Sequence, residues 1–278
     1  MIRRVESPLT TAGGRTLFRR SWLPARPEHV LLLIHGFAEH SGRYEDFGAW
    51  FAARGCAVHA YDQQGHGRSE GVRAHVRRFD DFLDDLDSLL SAVRAEHPGL
   101  RPQLVGHSMG GLILTAFLCE RAPDVAGAVT SGAALAISEK LSRGRMLAAR
   151  VLRRLAPRLG LGSGLDPEGL SRDPEVVRAY LEDPLVFRHM TTSLAVELMS
   201  AIERTSRSAG RVRVPLLMLH GEADPICPSS GTQRFFEGLA VEPRRLQIYP
   251  ELRHEIFNEP EHVRVFEDVL AWVGARSR

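Results

Sequence analysis

The stretch Gly106-His107-Ser108-Met109-Gly110-Gly111 constrains the fold more than any other in this chain. It follows the short apolar run Gln103-Leu104-Val105 and precedes a longer one, Leu112-Ile113-Leu114-Thr115-Ala116-Phe117-Leu118. That order predicts strand, sharp turn and helix, and Gly-x-Ser-x-Gly at such a turn is a nucleophile elbow. The turn forces the serine into a strained backbone conformation and lifts its Oγ above the sheet. Small residues two positions before and after it are required because strand and helix crowd each other there.

The flanking pattern fits. Val30-Leu31-Leu32-Leu33-Ile34 is continuously apolar, as in a strand covered on both faces of a parallel sheet. Cys56-Ala57-Val58-His59-Ala60-Tyr61, residues 125–131, Val214 to Gly221 and Arg245-Leu246-Gln247-Ile248-Tyr249 read as further strands. Helical periodicity predicts helices over 43–54, 79–97, the stretch after Ser108 to about Arg121, 231–239 and 261–274. Alternating strands and helices imply a mostly parallel sheet flanked by helices. Residues 2–7 and 15–22 predict two short, polar strands at a sheet edge. The rhythm breaks over 134–210, which is helical, Arg-rich and without a convincing strand. The chain thus divides into an α/β core of 1–133 and 211–278 with an insertion of 134–210.

A serine hydroxyl needs a base to become a nucleophile. Of the histidines, His107 is adjacent and its side chain diverges, His35 and His220 sit in His-Gly steps at strand ends, and His66 lies in a Gly-rich loop. His254 follows the last strand on a loop, and elbow enzymes order their groups Ser, acid, His. The acid is then sought past the preceding strand, where Glu222 and Asp224 are both available. Asp224 is preferred because Asp-Pro starts a turn that fixes a short carboxylate at the strand mouth. It would hold His254 in one tautomer and stabilise its imidazolium. Two N–H donors for a tetrahedral oxyanion are expected from Met109, at a helix N-terminus, and from Phe37, after the strand ending at Ile34.

Composition excludes other classes. A formal net charge of +2 over 278 residues, with no basic block interleaved with aromatics, gives no nucleic-acid footprint. Lys140 is the single lysine, a compositional bias toward arginine. Cys56, Cys119 and Cys227 are odd in number and far apart, with neither metal-ligand nor disulfide spacing, which suits reduced thiols in the cytoplasm. The N-terminus has no apolar core of signal-peptide length, and no run approaches the ~18 apolar residues of a membrane span. A soluble, cytoplasmic protein is expected, with peripheral membrane contact left open.

These motifs, together with His35-Gly36-Phe37-Ala38-Glu39-His40-Ser41-Gly42-Arg43-Tyr44, Tyr61-Asp62-Gln63-Gln64-Gly65-His66-Gly67-Arg68-Ser69, His220-Gly221-Glu222-Ala223-Asp224, Leu170-Ser171-Arg172-Asp173-Pro174 and Asp183-Pro184-Leu185, resemble the monoacylglycerol lipase and lysophospholipase-like group of the α/β-hydrolases. The likeness covers residues 10 to 272. It implies the α/β-hydrolase fold with a helical cap, or lid, formed by 134–210. It implies Ser108 as nucleophile, Asp224 as acid, His254 as base, and the Phe37 and Met109 amides as oxyanion hole. The activity implied is hydrolysis of monoacylglycerols through an acyl-serine intermediate, with no cofactor or metal. A general carboxylesterase, lysophospholipase, thioesterase or proline-specific peptidase would use the same triad, and a non-catalytic interaction protein could share the fold. Cys227 falls near a cysteine that some members carry beside the site, although a small buried side chain is the simpler reading.

Within the insertion, residues 140–159 predict a helix with Leu141, Ala148, Val151, Leu152, Leu155 and Leu159 on one face. Arg143, Arg145, Arg150, Arg153, Arg154 and Arg158 occupy the others. Packing of the apolar face onto the core is the commoner use of such a helix and is the expectation. The alternative is docking on an anionic membrane surface. Leu, Val, Phe187 and Met190 of the insertion would line an apolar acyl pocket.

Overall fold

In the computed structural model, which describes residues 1–136 and 143–276, the apolar run 30–34 lies inside an eight-stranded sheet. The strands are β1 (Arg3–Thr10), β2 (Thr16–Leu23), β3 (His29–Ile34), β4 (Cys56–Tyr61), β5 (Gln103–His107), β6 (Gly127–Ser131), β9 (Leu216–Gly221) and β10 (Arg244–Tyr249). Their spatial order is β1-β2-β4-β3-β5-β6-β9-β10. From β4 to β10 every pairing is parallel, while β1 and β2 are antiparallel additions at one edge. Only β1 is the polar edge expected of both. Leu17, Arg19, Arg20, Ser21 and Trp22 of β2 are buried, because β4 covers its other side.

The period-2 geometry of a strand explains the continuous apolar runs. Leu32 and Ile34 point into one core, while Leu31 and Leu33 point into the other. The first core is closed by α2 (Asp80–Glu96) and α3 (Met109–Arg121), the second by α1 (Glu45–Ala52) and α8 (His262–Gly274). Each fully buried leucine contributes about 1.5–3 kcal/mol. Start signals are local: Asp80 and Asp81 occupy the first turn of α2, where the helix dipole favours negative charge. Of the helix expected over 43–54, Arg43 and Tyr44 belong instead to a short 3-10 helix, Ser41–Tyr44, capped by the His40 side chain, and α1 begins at Glu45.

Between β6 and β9 lie α4 (Arg143–Leu155), β7 (Gly160–Gly162), α5 (Pro174–Glu182), β8 (His189–Thr191) and α6 (Thr192–Ser206). The helix α7 (Ser229–Glu237) follows β9. Two findings differ from the sequence reading. A small antiparallel ribbon, β7 with β8, lies in the stretch read as strandless. Its strands are three residues each and contain two glycines, too short to leave an alternating pattern. Second, α4 packs on α6 yet leaves Val151 and Leu155 at 52% and 79% exposure, with Leu159 beyond it at 45%. Among the described residues of that face, Leu152 is half-buried while Val151, Leu155 and Leu159 are exposed, so the expected packing is met only in part. The expected start of this helix at Lys140, with Leu141, lies outside the described residues, as do the side chains of Arg143, Arg145 and Ala148.

The sequence motifs of this segment act as tethers. Asp173 caps α5 by accepting from the Glu175 N–H, with Pro174 at its first position. Ser171 and Arg172 hold Glu259, on the loop after β10, and Asp183 bonds His40 at 2.8 Å. The carbonyls of Gly169 and Leu170 accept the N–H groups of His254 and Glu255, at 3.4 and 2.8 Å.

Candidate active site

Ser108 joins β5 to α3 with φ 53° and ψ −117°. A non-glycine residue at positive φ costs about 1–3 kcal/mol and persists only where its surroundings over-determine it. Here the Ser108 N–H donates to the Ser131 carbonyl at 2.9 Å, and its own carbonyl accepts from Leu112 and Ala134 at 3.0 and 3.2 Å. A Cβ on Gly106 would strike the backbone of Gly110, and one on Gly110 would strike the carbonyl oxygens of Ile34 and His35. The elbow is therefore closed to larger residues at both glycines, as the motif requires.

Asp224 follows β9 and His254 follows β10, so both lie at the same carboxyl edge of the sheet as Ser108. Asp224 Oδ2 is 2.7 Å from His254 Nδ1. Its Oδ1 accepts the N–H groups of Ile226 and Cys227, at 2.8 and 2.9 Å. Burial alone would raise the Asp224 pKa. The neighbouring His254, hydrogen bonds from His220 and His254, and the Cys227 N–H instead hold it well below the usual carboxylate range. For His254, burial opposes protonation, but the Asp224 carboxylate and its hydrogen bond outweigh that, and Glu255 and Glu39 add to it, so its pKa is raised above 6.5. The His254 ring lies 4.8 Å from that of His107, the residue before Ser108. Cys227 is buried, and burial, with Asp224 nearby, pushes its thiol well up.

The Phe37 and Met109 N–H groups have no acceptor among the described residues, and both residues line a cavity with Ser108. The loop carrying Phe37 is pinned from behind. Glu39 Oε1 accepts the Gly36 N–H at 2.5 Å and the Tyr44 hydroxyl at 2.7 Å. Arg43 binds Glu39 at 3.0 Å and grips Glu255 with two bonds of 2.5 and 2.8 Å. Burial would raise the Glu255 pKa, but the Arg43 charge and hydrogen bonds bring it to about 2. One buried guanidinium thus joins the loop of Phe37 to the residue next to His254.

The cavity above Ser108 measures about 560 Å³. Phe37, Met109, Leu112, Met190, Leu198 and Ile202 supply its apolar wall, with Ser163 and Asp166 among its polar groups. Met190 lines it as expected. Phe187 does not, and instead packs edge-on against Phe37 at 5.5 Å. The cavity has the size and apolar lining of a small-molecule site.

Sequence reasoning missed His220 and the set Glu39, Arg43 and Glu255. In the sequence His220 reads only as a candidate base, although its i,i+4 spacing to Asp224 at the end of an apolar strand is a usable signal. Nothing in the sequence brings Arg43 and Glu255 together.

Elsewhere, His59, Glu96 and His97 lie close enough to hold a metal. The Arg19 guanidinium, which can only donate, sits 2.7 Å from His59 Nδ1 and also binds both Glu96 oxygens. His59 therefore carries its proton on Nε2 and gives it to His97 Nε2 at 2.8 Å. No ligand lone pair of His59 remains for an ion.

Residues 25–261 match the family Hydrolase_4, described as "Serine aminopeptidase, S33". The monoacylglycerol lipase of Mycolicibacterium smegmatis is 36% identical over 272 residues, covering 97% of each chain. The chain belongs to this family of α/β-hydrolases. Human monoglyceride lipase is 35% identical over 97% of this hydrolase and 90% of the human chain. A crystal structure of the Paleococcus ferrophilus monoacylglycerol lipase superposes with a TM-score of 0.86 at 35% identity, covering 94% of this hydrolase and 99% of that chain. This chain is a serine hydrolase of mostly parallel α/β architecture.

Proposed function

We propose that this hydrolase cleaves monoacylglycerols to free fatty acid and glycerol through an acyl-Ser108 intermediate, beneath a cap formed by residues 134–210. The observation that carries the reading is the buried Asp224–His254 pair at the same sheet edge as Ser108, under an apolar cavity of about 560 Å³. His254 takes the Ser108 proton as Oγ attacks the ester carbonyl, and Asp224 balances the imidazolium. The free N–H groups of Phe37 and Met109 receive the oxyanion. Collapse expels glycerol, which takes the proton from His254. Water activated by the same imidazole then releases the acid. The names of the relatives support an acylglycerol over a peptide, and so does the largely apolar cavity wall, which would receive an acyl chain.

The test is a matched panel of monoacylglycerols of several lengths, triacylglycerol, lysophospholipid, p-nitrophenyl esters, an acyl thioester and a proline peptide. The highest kcat/KM is expected on a monoacylglycerol, and a preference for any other class overturns the substrate. Failure of a fluorophosphonate probe to label the wild type, or equal labelling of Ser108→Ala, overturns the chemistry.

The enzyme also docks, in this reading, on lipid surfaces through the cap. Val151, Leu155 and Leu159 are exposed beside Arg150, Arg154 and Arg158, the composition of an interfacial helix. No helix among the described residues is long and apolar enough to cross a membrane. Stronger co-sedimentation with anionic than with neutral vesicles at low salt is expected, and equal binding overturns the docking. Three buried free thiols suit a reducing cytoplasm.

A further inference from the structure

His220 ends β9 and is fully buried. Its Nδ1 lies 2.8 Å from the Thr232 hydroxyl on α7. Its Nε2 lies 2.9 Å from the Cys227 carbonyl oxygen and 3.1 Å from Asp224 Oδ2. A carbonyl can only accept, and so can an ionised carboxylate. Nε2 therefore carries the hydrogen, Nδ1 offers a lone pair, and the Thr232 hydroxyl donates to it. In the neutral ring, the contacts on its two sides select this tautomer.

The consequence falls on Asp224. Its Oδ2 receives two imidazoles, His254 through Nδ1 and His220 through Nε2. Its Oδ1 receives the Ile226 and Cys227 N–H groups. Four donors, the His220 N–H being shared with the Cys227 carbonyl, occupy the roughly four lone-pair sites of a carboxylate. The carboxylate plane is thereby fixed, and part of the Oδ2 charge is drawn away from His254.

We infer that His220 is a positioning residue of the triad, aiming Asp224 Oδ2 at His254 and tempering its charge so that the imidazolium surrenders its proton to the leaving alcohol. This rests on the triad reading above. The other charged or titratable groups facing His254 are Glu255, Glu39 and His107, and none of them touches Asp224 through a hydrogen bond. Without the second imidazole, Oδ2 turns more freely and holds its full charge toward His254. The imidazolium is then stabilised, and the neutral base appears only at higher pH.

The experiment uses the full chain, p-nitrophenyl butyrate, and kcat/KM across pH, with fluorophosphonate labelling and thermal melts run alongside. In His220→Leu, kcat/KM at its optimum falls by about tenfold or more, the loss of a hydrogen bond to a charged group, and the acid limb moves to higher pH. Glutamine places an amide nitrogen where Nε2 stood, so His220→Gln restores most of both. Thr232→Val removes the donor that fixes the tautomer and gives a smaller shift in the same direction. A folded His220→Leu with an unmoved acid limb, or a His220→Gln no better than leucine, overturns the inference. If His220→Leu does not fold, an unmoved acid limb in Thr232→Val overturns it instead. A wild type that neither turns over the ester nor takes the label overturns the triad itself, and this role with it.

Discussion

The loops at the sheet's carboxyl edge and the segment between β6 and β9 meet over Ser108, yet they are built on opposite terms. The loops bury charged and polar groups and satisfy them: Asp224 accepts from two imidazoles and two backbone N–H groups, and Arg43 binds two carboxylates. The segment turns leucine and valine to solvent. Buried ionic groups tolerate no partial removal, because the survivor is left unpaired. Exposed apolar groups can be removed with little effect on the fold. The first region fixes geometry, and the second meets whatever lies outside.

The sharpest way to break this contrast is at Ser108, the proposed nucleophile. Ser108→Ala is expected to lower kcat on the order of 10⁴- to 10⁶-fold while leaving the thermal melt at or above wild type. Activity within tenfold of wild type, measured on a p-nitrophenyl ester, would remove the loops from the chemistry. Next is Arg43→Leu, which leaves Glu39 and Glu255 facing each other without a counter-ion. A loss of about 3–5 kcal/mol, read as a melting point lower by roughly 10 °C, is expected with reduced activity in any folded fraction.

A third expectation concerns pH. Only neutral His254 can accept the Ser108 proton, and its pKa is raised above 6.5 by Asp224 against the cost of burial. Activity is therefore present above that pKa and is lost as pH falls through it, about tenfold per pH unit below. A kcat/KM profile with its acid limb below 6.5 would contradict the Asp224–His254 pairing. The smallest effect belongs to the segment. Leu155→Glu is expected to change soluble-ester turnover and melting by no more than about 0.5 kcal/mol, while vesicle co-sedimentation weakens. A melt lowered as far as in Arg43→Leu would show that Leu155 supports the fold after all.

The same contrast decides what the sequence disclosed. The elbow, the alternation of strands and helices and the chain order Ser-Asp-His are local or ordinal features, so the proposed site of Ser108, Asp224, His254, Phe37 and Met109 is legible in the sequence alone. Distant partners are not. Arg43 and Glu255 are far apart in the chain, and only folding the sheet brings them to 2.5 Å. His220 and Asp224 are four residues apart, but whether an imidazole at a strand end points inward depends on the turn that follows. The ribbon of β7 and β8 was too short to carry a period. The exposure of Val151 and Leu155 on α4 is not legible, because amphipathicity reports that a helix has an apolar side, not which surface covers it.

The backbone of Ser108 carries one last consequence. Its conformation, φ 53° and ψ −117°, is open to glycine and hostile to every side chain. A population of variants selected only for surviving heat would drift to glycine there and discard the proposed nucleophile. The serine endures under the opposite pressure, so at this one position resistance to heat and turnover are rival traits.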